Sequence, residues 1–331
     1  MKNTRSTLLS ILLLFMAVCG SAQKTDENGT VALTLDEHDL LPESVAYDPK
    51  EEAFYIGSTR KGKIVKVDRN GNESTFIDMA AFGQWMIIGM KIDEKRNHLW
   101  FCSSGGGNLI GYSLDDEVDG RPAGVFKVDL ATGSLIKKYM LENKGEVHFF
   151  NDLVIDSQGS VFVSHMFQEQ AIYRIDPDKD EMLPYLKRDF IKYPNGLDVS
   201  DDGRYLFVAH SGGIARITIG TEEVISLAVA EDFKIESPAS VDGLYFYQNS
   251  LIGVQPGIKR VARFSLSQNL QTITEVTVLD QNHPLMDHPT TGVVIGDEFH
   301  YIANAQFEKV KSDGTLAEEP GAPTIIKVKL K

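Results

Sequence analysis

A short phrase recurs six times along this chain, and its spacing restricts the fold more than any other feature. Its form is x-[Gly/Ser/Asp]-[Leu/Val/Met]-x-[Ile/Val/Phe/Tyr]-[Asp/Ser/Tyr/Gly], a β-compatible run ending in a turn residue and followed by a second apolar run. The copies begin at Glu43, Ile88, Asn151, Asn195, Asp242 and Thr291, at intervals of 45, 63, 44, 47 and 49 residues. Helical periodicity is scarce between them, and short runs bounded by Gly, Asn and Asp continue throughout, so the chain is mostly strand. A unit of roughly 40–50 residues with four strands is a propeller blade. The expectation is an all-β, six-bladed β-propeller with four-stranded blades, a single domain over residues 23–331. A β-sandwich with coincidental spacing is the alternative.

Four strands fit each unit. In the first they are Ser44–Tyr47, Phe54–Ser58, Lys63–Val67 and Ser74–Ile77; in the fourth, Gly196–Val199, Tyr205–Ala209, Gly213–Ile217 and Glu223–Val229. The last unit supplies only Gly292–Ile295, Phe299–Asn304 and Thr324–Leu330. An N-terminal strand, Val31–Leu35, is expected to complete it, closing the ring and removing two free sheet edges. The one long interval holds an excursion from Gly105 to Pro122, rich in Gly and Asp and a candidate lid. The acidic stretch Asp176-Pro-Asp178-Lys-Asp180 lacks the glycine and distal glutamate of a calcium loop and reads as a solvated turn.

The first residues have the order of a secretory signal peptide: Lys2 and Arg5, an apolar run from Leu8 to Val18, then Gly20, Ser21 and Ala22. The apolar run is too short to span a bilayer, which takes about 20 residues. Residues 1–22 are therefore expected to be removed after Ala22, placing the protein in the periplasm or outside the cell; lipidation at Cys19 is the alternative, disfavoured by Val18 before it. The net charge is −14 over the whole chain, and removal of Lys2 and Arg5 takes it to about −16. Such an acidic surface disfavours a nucleic-acid partner. Cys102 would be the one cysteine left, so no internal disulfide can form.

In a propeller the innermost strand of each blade lines a central channel, so residues in equal register lie at equal depth. The first residues of the phrase then form a ring of Glu43, Ile88, Asn151, Asn195, Asp242 and Thr291. Two carboxylates and two amides confined at one level are unfavourable without a counter-ion. Glu43, Asn151, Asn195 and Asp242 offer the hard oxygen ligands that suit Ca²⁺, or another divalent cation, with charges that balance it. Taken singly, Asn195-Gly196 and Asp242-Gly243 are also ordinary turn dipeptides. One layer out, the ends of the second strands bring Ser58, Ser103, His165, His210, Gln255 and Asn304 to the same mouth. His165 and His210 are candidate proton shuttles or wall residues, with His148 and His288 as weaker candidates.

These phrases resemble the gluconolactonase and senescence-marker protein family of calcium propellers, and more distantly diisopropyl fluorophosphatase and the paraoxonases. Phe-Asn151-Asp-Leu-Val-Ile-Asp, Pro-Asn195-Gly-Leu-Asp-Val-Ser, Val-Asp242-Gly-Leu and Pro-Glu43-Ser-Val carry the resemblance. It implies that Glu43, Asn195 and Asp242 bind the metal, and that Asn151 touches substrate or joins the metal shell. Where sugar-lactone members of the family have a basic residue two positions before the Asn-Asp pair, this chain has Phe149, which points away from a polyol and toward a more apolar lactone or ester. The expected activity is metal-assisted hydrolysis of a small lactone or ester, with Asp242 or Asp152 acting on water and His165 or His210 moving protons. Asn151, Phe149, Ser103, Gln255, Thr291 and Asn304 are expected to face the substrate. The alternatives are a non-catalytic ligand-binding propeller with structural calcium and a strictosidine-synthase-like propeller. No Gly-x-Ser-x-Gly elbow supports a serine mechanism.

Overall fold

A computed structural model of the chain describes residues 29–83, 85–112, 121–141, 145–229 and 241–330. The expected signal peptide and residues 113–120 of the excursion lie outside the described residues. The chain folds into six small sheets arranged as a ring, a six-bladed propeller. The inner strands are Pro42–Asp48, Met86–Asp93, Phe150–Ile155, Leu197–Val199, Leu244–Tyr247 and Gly292–Ile295, and each starts at or beside one copy of the phrase. Each is followed by antiparallel strands that step outward.

The reason for a ring lies in strand alternation. Successive side chains on one strand point to opposite faces, and here both faces of every sheet meet a neighbouring sheet. On the second strand of blade 2, Leu99 and Phe101 pack against blade 1, whereas Trp100 and Cys102 pack against blade 3. Six apolar clusters result among the described residues, one at each blade interface. Cys102 is fully buried in one of them, and burial pushes its thiol well above the usual range.

Closure occurs as expected, with a small shift in bounds. Residues Thr30–Thr34 pair antiparallel with Thr324–Lys329 and form the outermost strand of the last blade. One expected strand is corrected: Glu223–Val229 is not continuous. Val224–Ser226 closes blade 4, and then Ala228–Val229 crosses to pair in parallel with Thr272 and Ile273 of blade 5. Leu227, between the two pieces, turns into the blade 4–5 core, so the chain changes sheets around a buried side chain. Asp176 to Asp180 form a turn, with the Asp176 carboxylate accepting from the Asp178 and Lys179 amides at 3.0 and 3.1 Å.

Candidate functional site

The ring residues reach the channel through a repeated irregularity. In blades 1, 2 and 3 the pairing of inner and second strands shifts at Glu43, at Ile88-Gly89 and at Asn151-Asp152. The other three blades show the same two-against-one arrangement just before the strand. The Asn195 amide donates to the Ala209 carbonyl while the Ala209 amide donates to Gly196, each at 2.9 Å; Asp242-Gly243 faces Val254 likewise, and Thr290-Thr291 faces Ile302. A bulge aims two successive residues inward and tightens the local twist. In the first five blades the second residue of the phrase therefore also abuts the channel; in the sixth the pair is Thr290-Thr291 and Gly292 pairs regularly with Tyr301, so Thr290 and not the expected Thr291 holds the ring register. Gly89 meets that demand: a Cβ there would lie 2.5 Å from the Asp152 Cα.

Hydrogen bonds between blades then draw the ring together. The Gly196 amide donates to the Asp242 carbonyl at 2.9 Å, Gly243 to Thr290 at 3.2 Å, and the Thr291 hydroxyl to the Glu43 carbonyl at 2.8 Å. Glu43, Asn151, Asp242 and Thr291 are 5–7 % exposed, Asp152 is 2 % exposed and Asn195 is half-buried. Burial holds the Glu43 carboxyl well above the usual carboxylate range, and the negative charges of Asp242 and Asp152 add to the effect. Burial likewise pushes Asp242 up to about 7, against the opposing pull of His288 and a hydrogen bond from Asn195. Asp152 is raised by burial, against the field of Lys91. Its Oδ1 accepts from the Leu153 amide at 2.8 Å, while Oδ2 is buried with no hydrogen-bond partner.

Among the described residues no Lys or Arg forms an ion pair with Glu43, Asp152 or Asp242. No group of three or more His, Cys, Asp or Glu side chains converges there in a metal-holding cluster either. The donor set at the ring is two carboxylates and two amides. Buried carboxylates that raise one another, with amide oxygens beside them, fit a hard divalent cation in donor type and charge.

The outer layer is occupied by hydrogen bonds to the wall itself. The Ser58 and Ser103 hydroxyls donate to the Leu40 and Met86 carbonyls at 2.5 and 2.7 Å, and Gln255 Oε1 accepts from Arg260 at 2.8 Å. Asn304 bridges Ala322 and Thr324 at 2.9 and 2.7 Å. His165 Nε2 lies 3.1 Å from His148 Nδ1, and its ring is flanked by Phe150 and Tyr173. Burial takes His165 down to about 3, so the ring is neutral. His210 Nδ1 accepts from the Gly212 amide at 3.1 Å, which makes Nε2 its N–H. His288, close enough to Asp242 to lower it, is held by Glu308 at 2.6 Å and stands beside Phe307.

Above the ring opens a cavity of ≈ 310 Å³ with Glu43 and Asn151 in its lining. Its walls carry Met86, Ile88, Phe149, Met166, Phe167 and Phe307. Phe149 is thus at the site, whereas Met86, Met166, Phe167 and Phe307 were not singled out from sequence. They sit outside the repeated phrase, on strand ends and loops where register gives no address. From the excursion, Gly106, Gly107, Asn108 and Arg121 also line the cavity. Arg60 anchors that side, donating to the Asn108 and Gly314 carbonyls at 3.3 and 3.1 Å.

Residues 120–273 match the family model SMP-30/Gluconolactonase/LRE-like region. The chain carries an SMP-30/gluconolactonase-like region. The matched stretch holds the phrases at Asn151, Asn195 and Asp242. Solved structures share the whole fold at low identity. The calcium-binding protein regucalcin from Agrobacterium tumefaciens is 15% identical with a TM-score of 0.60, covering 91% of this chain and 96% of that one. A gluconolactonase from Xanthomonas campestris is 13% identical with a TM-score of 0.59, covering 92% and 96%. The allergen Mala s 1 of Malassezia sympodialis is 12% identical with a TM-score of 0.65, covering 88% and 95%. No curated protein sequence matches the chain. At these identities the likeness establishes the fold, and the site must carry the function.

Proposed function

We propose that this protein is an exported hydrolase of a small lactone or ester that depends on Ca²⁺ or another divalent cation. The observation that carries the reading is the burial of Glu43, Asp242 and Asp152 around one channel, with no ion-paired Lys or Arg among the described residues. Glu43, Asn151, Asn195 and Asp242 would hold the cation. When bound, it supplies Lewis-acid polarisation of a carbonyl oxygen.

The chain's own groups do the rest. Asp152, whose Oδ2 has no partner, or Asp242 orients and deprotonates the attacking water. His210, with Nε2 as its N–H, carries protons at the wall, whereas His165, held neutral by burial and set against His148, is a wall residue. Asn151 and Phe149 face the substrate in the mouth cavity. Ser103, Gln255, Thr291 and Asn304 hold the wall around it, and the gluconolactonase-like fold and matched region support the lactone assignment. Export rests on the sequence of residues 1–22, and its check is the N-terminal residue of protein recovered outside the cytoplasm.

The test is turnover of lactones, aryl esters and phosphotriesters with and without a chelator, together with a measurement of bound calcium. Chelator-sensitive hydrolysis with one calcium retained per ring supports the proposal. Calcium without turnover of any substrate identifies a ligand-binding propeller, and absence of calcium binding points to a strictosidine-synthase-like propeller.

A further inference from the structure

The mouth cavity has walls that differ in chemistry from its floor. Glu43 and Asn151 are the polar lining groups at the ring, Asn108 and Arg121 stand on the excursion side, and Met86, Ile88, Phe149, Met166, Phe167 and Phe307 make the rest of the wall largely apolar. Asn151 Nδ2 touches Met166 Sδ at 3.9 Å, so the thioether lies against the ring amide itself. Next to it Phe149 and Phe167 form an aromatic corner, with ring centroids 5.4 Å apart and planes tilted by 58°. The corner is fixed by the backbone, because the Met166 amide donates to the Phe149 carbonyl at 2.8 Å. Of the polar groups higher in the wall, the Thr59 hydroxyl donates to the Leu41 carbonyl at 2.7 Å, and the Arg121 guanidinium stands 5.9 Å from the Phe167 ring centroid.

We infer that this cavity seats a substrate whose non-reacting part is an alkyl chain or aromatic ring, with Phe149, Phe167 and Met166 as the surfaces that select it against a polyol. The inference rests on the hydrolase reading of the same site. A sugar lactone brings several hydroxyls that must exchange water for protein partners, and each one left unpaired in an apolar wall is strongly penalised. An alkyl tail loses nothing comparable and gains for each methylene withdrawn from water. A volume of ≈ 310 Å³ accommodates a small ring with a short tail.

The experiment compares glucono-1,5-lactone with a series of δ-lactones whose alkyl tails grow from none to eight carbons, using the calcium-loaded full-length mature protein. The expected result is a kcat/KM that rises about three- to fourfold per methylene until the cavity is full. Glucono-1,5-lactone should fall about 100-fold or more below the best member. In Phe149→Ala and Phe167→Ala the slope across the series should flatten, and circular dichroism and melting profiles will show that both remain folded. A flat series, or preference for glucono-1,5-lactone, overturns the inference. Binding of alkyl-substituted δ-lactams, measured by calorimetry, separates this result from failure of the hydrolase reading. Tail-dependent tightening in a protein that hydrolyses nothing upholds the ligand class and removes the enzyme; tail-independent binding removes the ligand class.

Discussion

At the scale of single residues, the ring makes opposite demands on the metal-free and metal-bound protein. Burial raises the cost of ionising both Glu43 and Asp242, Asp152 adds to it at each, and Asp242 adds to it at Glu43. Neutralising either should therefore relieve the metal-free protein. In chelator at pH 8, Asp242→Asn and Glu43→Gln should melt roughly 2–5 °C higher than the native chain, the effect of about 1–2 kcal/mol in a domain of this size. Calcium at about 100 times its Kd should stabilise the native chain by about 2.7 kcal/mol and leave both variants nearly unmoved. Differential scanning fluorimetry with and without calcium reads both effects, and a variant that melts lower in chelator contradicts the electrostatic account. These residues were legible in the sequence because aligned phrases share a depth. The bulge was not, since the phrase does not say which two residues face one partner. Asp152 consequently sits at the channel with an unpartnered oxygen, beside Asn151 rather than on the opposite face.

Individual elements carry the same lesson through their partners. The end of the second strand in blade 3 places His165 against His148, Phe150 and Tyr173, an environment that keeps the imidazole neutral. A histidine held below its ordinary value contributes stability above about pH 6.5 and loses it as pH falls toward 3. Relative to His165→Phe, the native chain should therefore lose stability between pH 6.5 and 4, by up to about 1.4 kcal/mol per pH unit. Urea melts of both proteins across that range provide the check, and a difference independent of pH would show that the ring titrates normally. Strand existence was readable from alternation, as the first blade illustrates within a residue or two at each end. The break at Leu227 was not, because Val224 to Val229 holds no Gly, Pro, Asn or Asp to mark it, and its division is imposed by the blade 4–5 core. The aromatic corner escaped for a similar reason: Phe167 reads as a loop residue until the fold brings it to Phe149.

For the whole molecule, the period of the phrase determines blade number, and closure determines whether the ring holds. The last blade takes its outer strand from the opposite end of the chain, Thr30–Thr34 against Thr324–Lys329. That seam also frames the site, because the Thr290 and Thr291 hydroxyls of the last blade donate to the Glu43 carbonyl of the first at 3.1 and 2.8 Å. Loss of the outer strand would leave the 324–329 strand as an open edge and uncover Ile325 and Ile326, both now at 1 % exposure or less. Leu35, Leu40, Ile302 and Ile325 share one cluster across this interface, so loosening the seam should propagate to the first blade. A chain beginning after Thr34 is therefore expected to melt at least 10 °C below one beginning after Ala22, and to aggregate on heating. Its metal-induced stabilisation should shrink as well, since Glu43 is held at this interface while Asn195 and Asp242 are held elsewhere. Retention of full calcium affinity in the shortened chain, measured by titration calorimetry below its melting point, would show that the ring is organised without the seam. The physical reason to expect otherwise is that ring carboxylates repel one another, and only continuous closure of the six sheets keeps Glu43 from moving away from Asp242.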